Sequence, residues 1–556
     1  MSVRRPPRVT RRVALLGAAG LVLLADAIAR RRSVRQTSQP GLLVVQIDGL
    51  GLAALRRAID GSHAPFIGGL LSRGEVELDP WFALLPPTTP ASQAGIMHGH
   101  NDEIPGFRWY EKKEGRLLVA NHAGDAAEIA RRQSDGQGLL APDGASIGNL
   151  MTGDARRTYL TMATVAEEPR APGTIIRLRT FLLSPLNGLR IVAGMVGEFV
   201  AELYQGRRQV VRRVQPRMHR GFDSAIERAV LNGAVRILST ELVMAEMRMG
   251  TPVIYVDFTG YDSIAHHSGP ERPESLHAVR GIDHEIERIV DAIPRARRPY
   301  RLVVLSDHGQ SLGRPFGEQY GQSLEQFVAG AMGDDISVRA STETEHNESG
   351  GIIARELTAL FGIGPLVDAI SNVSKRIGGG PEEASEKPDL VVCASGNLAH
   401  LYFPIDESRM TMEDIERRYP GLLDRLIDHP AIGCVLVRSS TEGALAISRA
   451  GRRRLDRDEL EGQDPLTPFG PLAAPSVRRL DGFSNVGDIV LLSIVDPTTG
   501  EVVSFEDLVG CHGGLGGAQS EPFILRPASW SPPREPLVGA PSVHKQLRDW
   551  LLDLKA

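Results

Sequence analysis

The sequence predicts an α/β fold built on a doubly wound, mostly parallel central sheet. Three observations carry that prediction. Short apolar runs repeatedly lead to an acidic or imidazole side chain: Leu42 to Ile47 leads into Asp48-Gly49, Val253 to Asp257 into a loop bearing Asp262 and His266, and Leu302 to Leu305 into Ser306-Asp307-His308-Gly309. Buried parallel strands read as continuous apolar runs, and open α/β sheets collect their ligand-bearing side chains at the C-terminal strand ends. Helical patterns lie between the runs, as from Ala54 to Leu71 and from His277 to Ile293. Finally, 42% of the 556 residues are hydrophobic, enough for a substantial core, which excludes collagen, a coiled coil and global disorder.

Charge narrows the function classes. With 63 Lys+Arg against 68 Asp+Glu the net charge is −5, so no nucleic-acid partner is expected. Three cysteines, Cys393, Cys434 and Cys511, are too few and too scattered for a disulfide framework or a zinc ribbon.

The elements divide the chain in order. Residues 1–40 form a basic and hydrophobic segment in which Arg11-Arg12 precede a run from Val13 to Ala29, apolar except for Asp26, and Arg30-Arg31-Arg32 follow. A charge cluster at each end argues against a core helix. The expectation is a single N-terminal membrane anchor in a short hydrophobic helix, or a signal exporting the protein to the cell envelope. Residues 41–150 are the first part of the catalytic core. Residues 151–235 read as a helical insertion, with an apolar stretch from Phe181 to Tyr204 and a basic one from Arg207 to Arg220. That pair fits either a packed helical cap with a solvated charged face or an interfacial helix docking to anionic lipid. Residues 236–317 continue the core. Residues 318–389 form a second insertion ending in the linker Gly378-Gly379-Gly380-Pro381. Residues 390–556 are the third part of the core with a C-terminal segment, rich in strands and hairpins.

The chemistry lies at the strand ends. Asp48 follows the first strand. Asp262 and His266 are four residues apart, so one helical turn brings them to the same side. Asp307-His308 follow a further strand, and His512 sits in the glycine-rich Val509-Gly510-Cys511-His512-Gly513-Gly514. Any one of these would pass for a turn or a cap; four together suit a divalent ion such as zinc, which takes imidazole nitrogen and carboxylate oxygen. Pro86-Pro87-Thr88-Thr89-Pro90 precedes a small-residue run to Gly99. A threonine entering a helix there is either an N-cap or a nucleophile held at the positive end of the helix dipole.

In this order, Asp48-Gly49, Thr89, Asp262-x-x-x-His266, Asp307-His308-Gly309 and His512-Gly513 resemble the motif set of the alkaline phosphatase superfamily. The type I phosphodiesterase/nucleotide pyrophosphatase branch is the nearest, over most of 41–315 and 390–527. The resemblance implies an alkaline phosphatase-like fold and two divalent metal ions, zinc by family, roughly 4 Å apart. It places one ion on Asp48, Thr89, Asp307 and His308, and the other on Asp262, His266 and His512. It makes Thr89 the nucleophile over Thr88, because the ten-residue spacing to Gly99 matches the family. The D-x-x-x-H spacing selects His266 over His267. The sequence also departs from the family, which carries an asparagine about twenty residues past the nucleophile to bind a phosphoryl oxygen. Here Pro105-Gly106-Phe107-Arg108-Trp109-Tyr110 has none. Arg108 is the expected substitute, as a paired N–H donor to phosphate, with Trp109 or Tyr110 packing on the substrate.

The implied activity is metal-dependent hydrolysis of a small-molecule or lipid phosphate ester through a phosphothreonine, as a phosphodiesterase/pyrophosphatase or a phosphomonoesterase. The rivals are an envelope phospho-headgroup transferase and a non-catalytic envelope protein that keeps the metal fold for interaction. A sulfatase is disfavoured, since its modified Cys or Ser in a C/S-x-P-x-R context is missing.

Overall fold

The computed structural model describes residues 37–165, 185–333, 336–341 and 388–555. The expected N-terminal hydrophobic helix (13–29), the start of the apolar stretch at Phe181 and the 378–381 linker lie outside them.

The central sheet has eight strands in the spatial order Leu537–Val538, Val76–Phe82, Phe523–Pro527, Tyr300–Leu305, Gly41–Ile47, Val253–Phe258, Ala145–Ile147, Arg157–Tyr159. Only Phe523–Pro527 runs against the others. The first strand shows why the sheet is doubly covered. Leu43, Val45 and Ile47 pack into one buried layer, with helices Leu52–Asp60, Arg236–Met249 and Pro273–Ala292, and Leu42 and Val44 into the opposite one, with Thr89–His98, Ala123–Gln133 and Ala540–Lys555. Successive side chains of a strand point to opposite faces, so a nearly continuous apolar run suits a sheet packed on both sides, and the one buried polar side chain in it, Gln46, accepts from the Tyr255 hydroxyl at 2.7 Å.

The pairing register places the chemistry. Gln46 lies opposite Asp257 on one side and Leu305 on the other, so the C-terminal ends carrying Asp48, Asp257 and Asp307 finish side by side. A three-stranded ribbon completes the site. Ser311–Pro315, just past His308, pairs with Val502–Ser504 and with Gly510–Cys511, and the second pairing delivers His512 to the same sheet edge.

Three expectations change in detail. The helical pattern from Ala54 to Leu71 is two helices, Leu52–Asp60 and Pro65–Ser72, separated at Gly61. Pro65, with no N–H to donate, opens the second as its first residue. Arg157–Tyr159, inside the segment read as a helical insertion, is the edge strand of the central sheet. Of residues 390–556, only Phe523–Pro527 and Leu537–Val538 enter that sheet. The longer strands build a second eight-stranded sheet, ordered Val338–Ser341, Leu390–Ser395, Leu398–Tyr402, Ile489–Ser493, Ile432–Ser439, Gly443–Ser448, Gly451–Arg454, Glu459–Gly462, with its own apolar cores. Val338–Ser341 comes from the second insertion and pairs parallel to Leu390–Ser395.

Candidate metal centre

The first residue past the central strand is Asp48, and the turn it opens depends on Gly49. Gly49 has φ +69°, and a Cβ there would collide with the Asp262 carboxylate. Only glycine tolerates both the left-handed backbone and the close approach. The Gly49 N–H donates to Asp307 Oδ1 at 3.2 Å, tying the ends of two adjacent strands. Asp262 and His266 stand one turn apart on helix Gly260–Ser268, with His266 Nε2 3.1 Å from Asp262 Oδ2.

All three site histidines are oriented alike. His266 Nδ1 meets the Gly510 carbonyl at 2.7 Å, His308 Nδ1 that of Gly309 at 3.0 Å, and His512 Nδ1 that of Pro87 at 3.1 Å. A carbonyl only accepts, so each Nδ1 carries the proton and each Nε2 presents a lone pair inward, the arrangement that orients metal-ligating imidazoles. His266 Nε2 and His512 Nε2 lie 3.2 Å apart, two lone pairs face to face, an arrangement that calls for a cation near both. His512 Nε2 is also 3.8 Å from Asp262 Oδ1, completing one triad.

The second triad is Asp48, Asp307 and His308. His308 Nε2 lies 3.3 Å from Asp307 Oδ2 and 3.6 Å from Asp48 Oδ1. Asp307 Oδ2 is fully buried with no hydrogen-bond partner. The rings of His308 and His512 stack at 3.8 Å, so the triads adjoin. Orphaned carboxylate oxygen, opposed imidazole lone pairs and buried acids fit divalent ions, and the mixed nitrogen–oxygen donor set suits zinc.

Electrostatics agree. Burial pushes the Asp48 carboxyl well above its ordinary pKa, and the charges of Asp307, Asp257 and Asp262 push the same way. Burial also opposes ionisation of Asp262, but when the rings of His266, His512 and His308 are protonated their charge outweighs it and holds its pKa down. Burial lowers the His308 pKa, which favours the neutral ring that a metal ligand needs.

Thr89 sits over the second triad. It is the first residue of helix Thr89–His98, which ends at Gly99. Its Oγ1 donates to Asp48 Oδ1 at 3.4 Å and lies 3.2 Å from His308 Nε2. Thr88 is the N-cap residue; its Oγ1 is buried and has no hydrogen-bond partner.

Arg108, Trp109 and Tyr110 lie on strand Arg108–Glu111. Arg108 Nη1 pairs with Glu506 Oε1 at 2.8 Å in a fully buried ion pair. The other Glu506 oxygen accepts from the N–H of Gly396, whose backbone packs against that of His512. Trp109 is in the core. Tyr110 packs edge-on against Tyr402 and lines a polar cavity of about 260 Å³ with Lys112, Arg132 and Arg409.

The site also contains residues the motifs did not single out. Asp257 is buried beside the triads, and burial together with Asp307 and Asp262 raises its pKa. Gln93, one turn beyond Thr89, donates to Asp257 Oδ2 at 2.8 Å and accepts from the Leu150 N–H at 2.8 Å. Gln310 donates to the Asp262 carboxylate and, at 3.1 Å, to its carbonyl. The available signal was position: Asp257 ends a strand and Gln310 directly follows Asp-His-Gly.

The model of the type I phosphodiesterase/nucleotide pyrophosphatase family matches residues 42–341. Among solved structures, phosphonoacetate hydrolase from Sinorhizobium meliloti, in complex with phosphonoformate, is similar at 15% identity and a TM-score of 0.44, covering 92% of this chain and 96% of that one. Murine ectonucleotide pyrophosphatase/phosphodiesterase 5 gives 10% and 0.43, covering 92% and 95%. The wild-type alkaline phosphatase PafA gives 11% and 0.49, covering 93% and 96%. A search of curated proteins found no match.

Proposed function

Because the chain belongs to the type I phosphodiesterase/nucleotide pyrophosphatase family, we propose that it hydrolyses phosphate esters with Thr89 as nucleophile, beside a pair of divalent ions. The observation that supports this reading best is the Thr89 hydroxyl within 3.4 Å of Asp48 and 3.2 Å of His308, in a site whose imidazoles all turn Nε2 inward. Asp48, Asp307 and His308, with Thr89, would hold one ion, and Asp262, His266 and His512 the other. Zinc in those positions would supply Lewis-acid charge that lowers the hydroxyl pKa and stabilises charge building on the phosphoryl oxygens.

The chain's own residues set the geometry. Asp48 accepts the hydroxyl proton's hydrogen bond and so aims Oγ1. The helix that begins at Thr89 puts the positive end of its dipole at the reacting oxygen, which favours an alkoxide and a phosphoryl anion. Oγ1 gives up its proton and attacks phosphorus in line, the Oγ1–P bond forms as the ester P–O bond breaks, and the alcohol or phosphate departs with a proton in place of the one Oγ1 lost. Water then cleaves the Oγ1–P bond, releases the phosphate product and restores the threonine.

Paired variants test the assignment with chromogenic phosphate mono- and diesters. Thr89→Ala should abolish turnover and retain metal, while Thr88→Ala should stay active. Near-normal Thr89→Ala activity with an inactive Thr88→Ala would move the nucleophile by one residue. Activity in both would remove threonine from the reaction. Which ester is turned over faster identifies the substrate class.

A further inference from the structure

Helix Pro185–Val211 is built inside out. Glu198 and Glu202 turn toward the protein, where Arg228 reaches both, at 2.8 and 3.0 Å, and Arg220 pairs with Glu202 at 2.6 Å. Gln209 is buried on the same side. Gly233 lets the backbones close up, since a Cβ there would lie 2.6 Å from Met195 Cα. The opposite face is apolar and open: Leu189, Val192, Val196, Val200, Leu203 and Val211 are each between 40% and 73% exposed. At 3.6 residues per turn they fall within an arc of roughly 120°, a continuous stripe on a helix about 40 Å long. A soluble surface helix would show the reverse pattern. Burying the carboxylates against arginines while leaving the valines outside is favourable only if something apolar covers the stripe.

The stripe's own charge selects the cover. Arg207 stands on the same arc, and Arg212 and Arg213 follow it; all three are exposed and make no ion pair among the described residues. An anionic bilayer offers an apolar layer with a layer of phosphate directly above it, matching valine stripe and arginine cluster together. No described helix is long and apolar enough to cross a membrane, so this one would lie along the surface. We propose that helix Pro185–Val211 is an interfacial docking helix whose apolar stripe enters the headgroup–acyl boundary of an anionic membrane. The segment that follows its basic end is tied to the segment that follows the ligand-bearing helix. Arg272, just past the helix that carries Asp262 and His266, holds the carbonyls of Pro216 and Gln215 at 2.7 and 3.1 Å.

The test uses the full chain with Val200→Cys carrying an environment-sensitive dye; the three native cysteines are buried and stay unlabelled. Glu459→Cys, on the exposed strand Glu459–Gly462 of the second sheet, is the control position. On vesicles of phosphatidylcholine with phosphatidylglycerol, the Val200 dye should shift to the blue and be quenched by spin-labelled lipid. On phosphatidylcholine alone it should not, and added salt should reverse the shift. Reversing Arg207, Arg212 and Arg213 to Glu should lower the vesicle partition constant by roughly five-fold or more per arginine. The control dye should stay in water throughout. Three results would overturn the proposal. Either the protein floats through residues 13–29 while the Val200 dye remains in water, or it binds no anionic vesicles at all. Alternatively the dye is already shielded without lipid: shielding lost on dilution would assign the stripe to a second copy, and shielding independent of concentration to the chain itself.

Discussion

Loading the metal centre should expel protons, and the acids around it set the direction. In the metal-free protein burial, reinforced by Asp307, Asp257 and Asp262, holds the Asp48 pKa well above its ordinary value, and Asp257 is raised for similar reasons. The sign follows. A raised folded-state pKa makes metal-free stability greatest below the ordinary carboxylate pKa, and that stability is lost as pH climbs through the raised value. A divalent ion binds only the ionised carboxylate, so metal affinity must rise over the same window. Each proton released raises affinity about tenfold per pH unit, or about 1.4 kcal/mol. Calorimetric titration of chelator-stripped protein, repeated at one pH in two buffers of different ionisation heat, counts the protons directly. At least one proton should leave when both ions bind, and affinity should climb with pH above the ordinary carboxylate range, as the raised acids ionise. Zero proton release with pH-independent affinity would refute the picture of mutually repelling acids neutralised by metal.

His512→Ala removes one donor of the Asp262–His266–His512 triad and leaves the other triad whole. One ion should bind at least about 100-fold more weakly, beyond the 10–100-fold typical of losing an outer partner, with the second ion little changed by competition titration. Lys112→Met should destabilise by about 3–5 kcal/mol in denaturant unfolding, because it strands a buried charge. Lys112 Nζ bridges both Asp488 oxygens at 2.9 and 3.0 Å, and Asp488 would keep only the N–H groups of Phe403 and Met410.

The central sheet was legible because a strand buried on both faces leaves a nearly continuous apolar run, and because an acid just past such a run marks the strand's end. Asp48 and Asp307 were found that way. Bringing His512 to His266, 246 residues apart, was not written in any local pattern. It depends on Gly510–Cys511 pairing with Ser311–Pro315, and only the order of motifs within a family suggested it. The second sheet escaped for the converse reason: Leu390–Ser395 and Ile489–Ser493 look the same in sequence whichever sheet they join. Asp257 was read as part of a strand, since a lone acid gives no sign of neighbours supplied by other segments. Arg108 looked available for phosphate, yet its partner, Glu506, is 398 residues away. The apolar stretch around Val192 to Leu203 was plain, but not which side faced out; that follows from Arg220 and Arg228 claiming the glutamates.

Metal content per chain bears most directly on the account. Elemental analysis of the zinc-loaded, dialysed wild type should return two ions per chain, falling to one in His512→Ala, with Thr89→Ala retaining its metal. One ion per chain in the fully loaded wild type, or none, would contradict a two-ion centre assembled from these two triads.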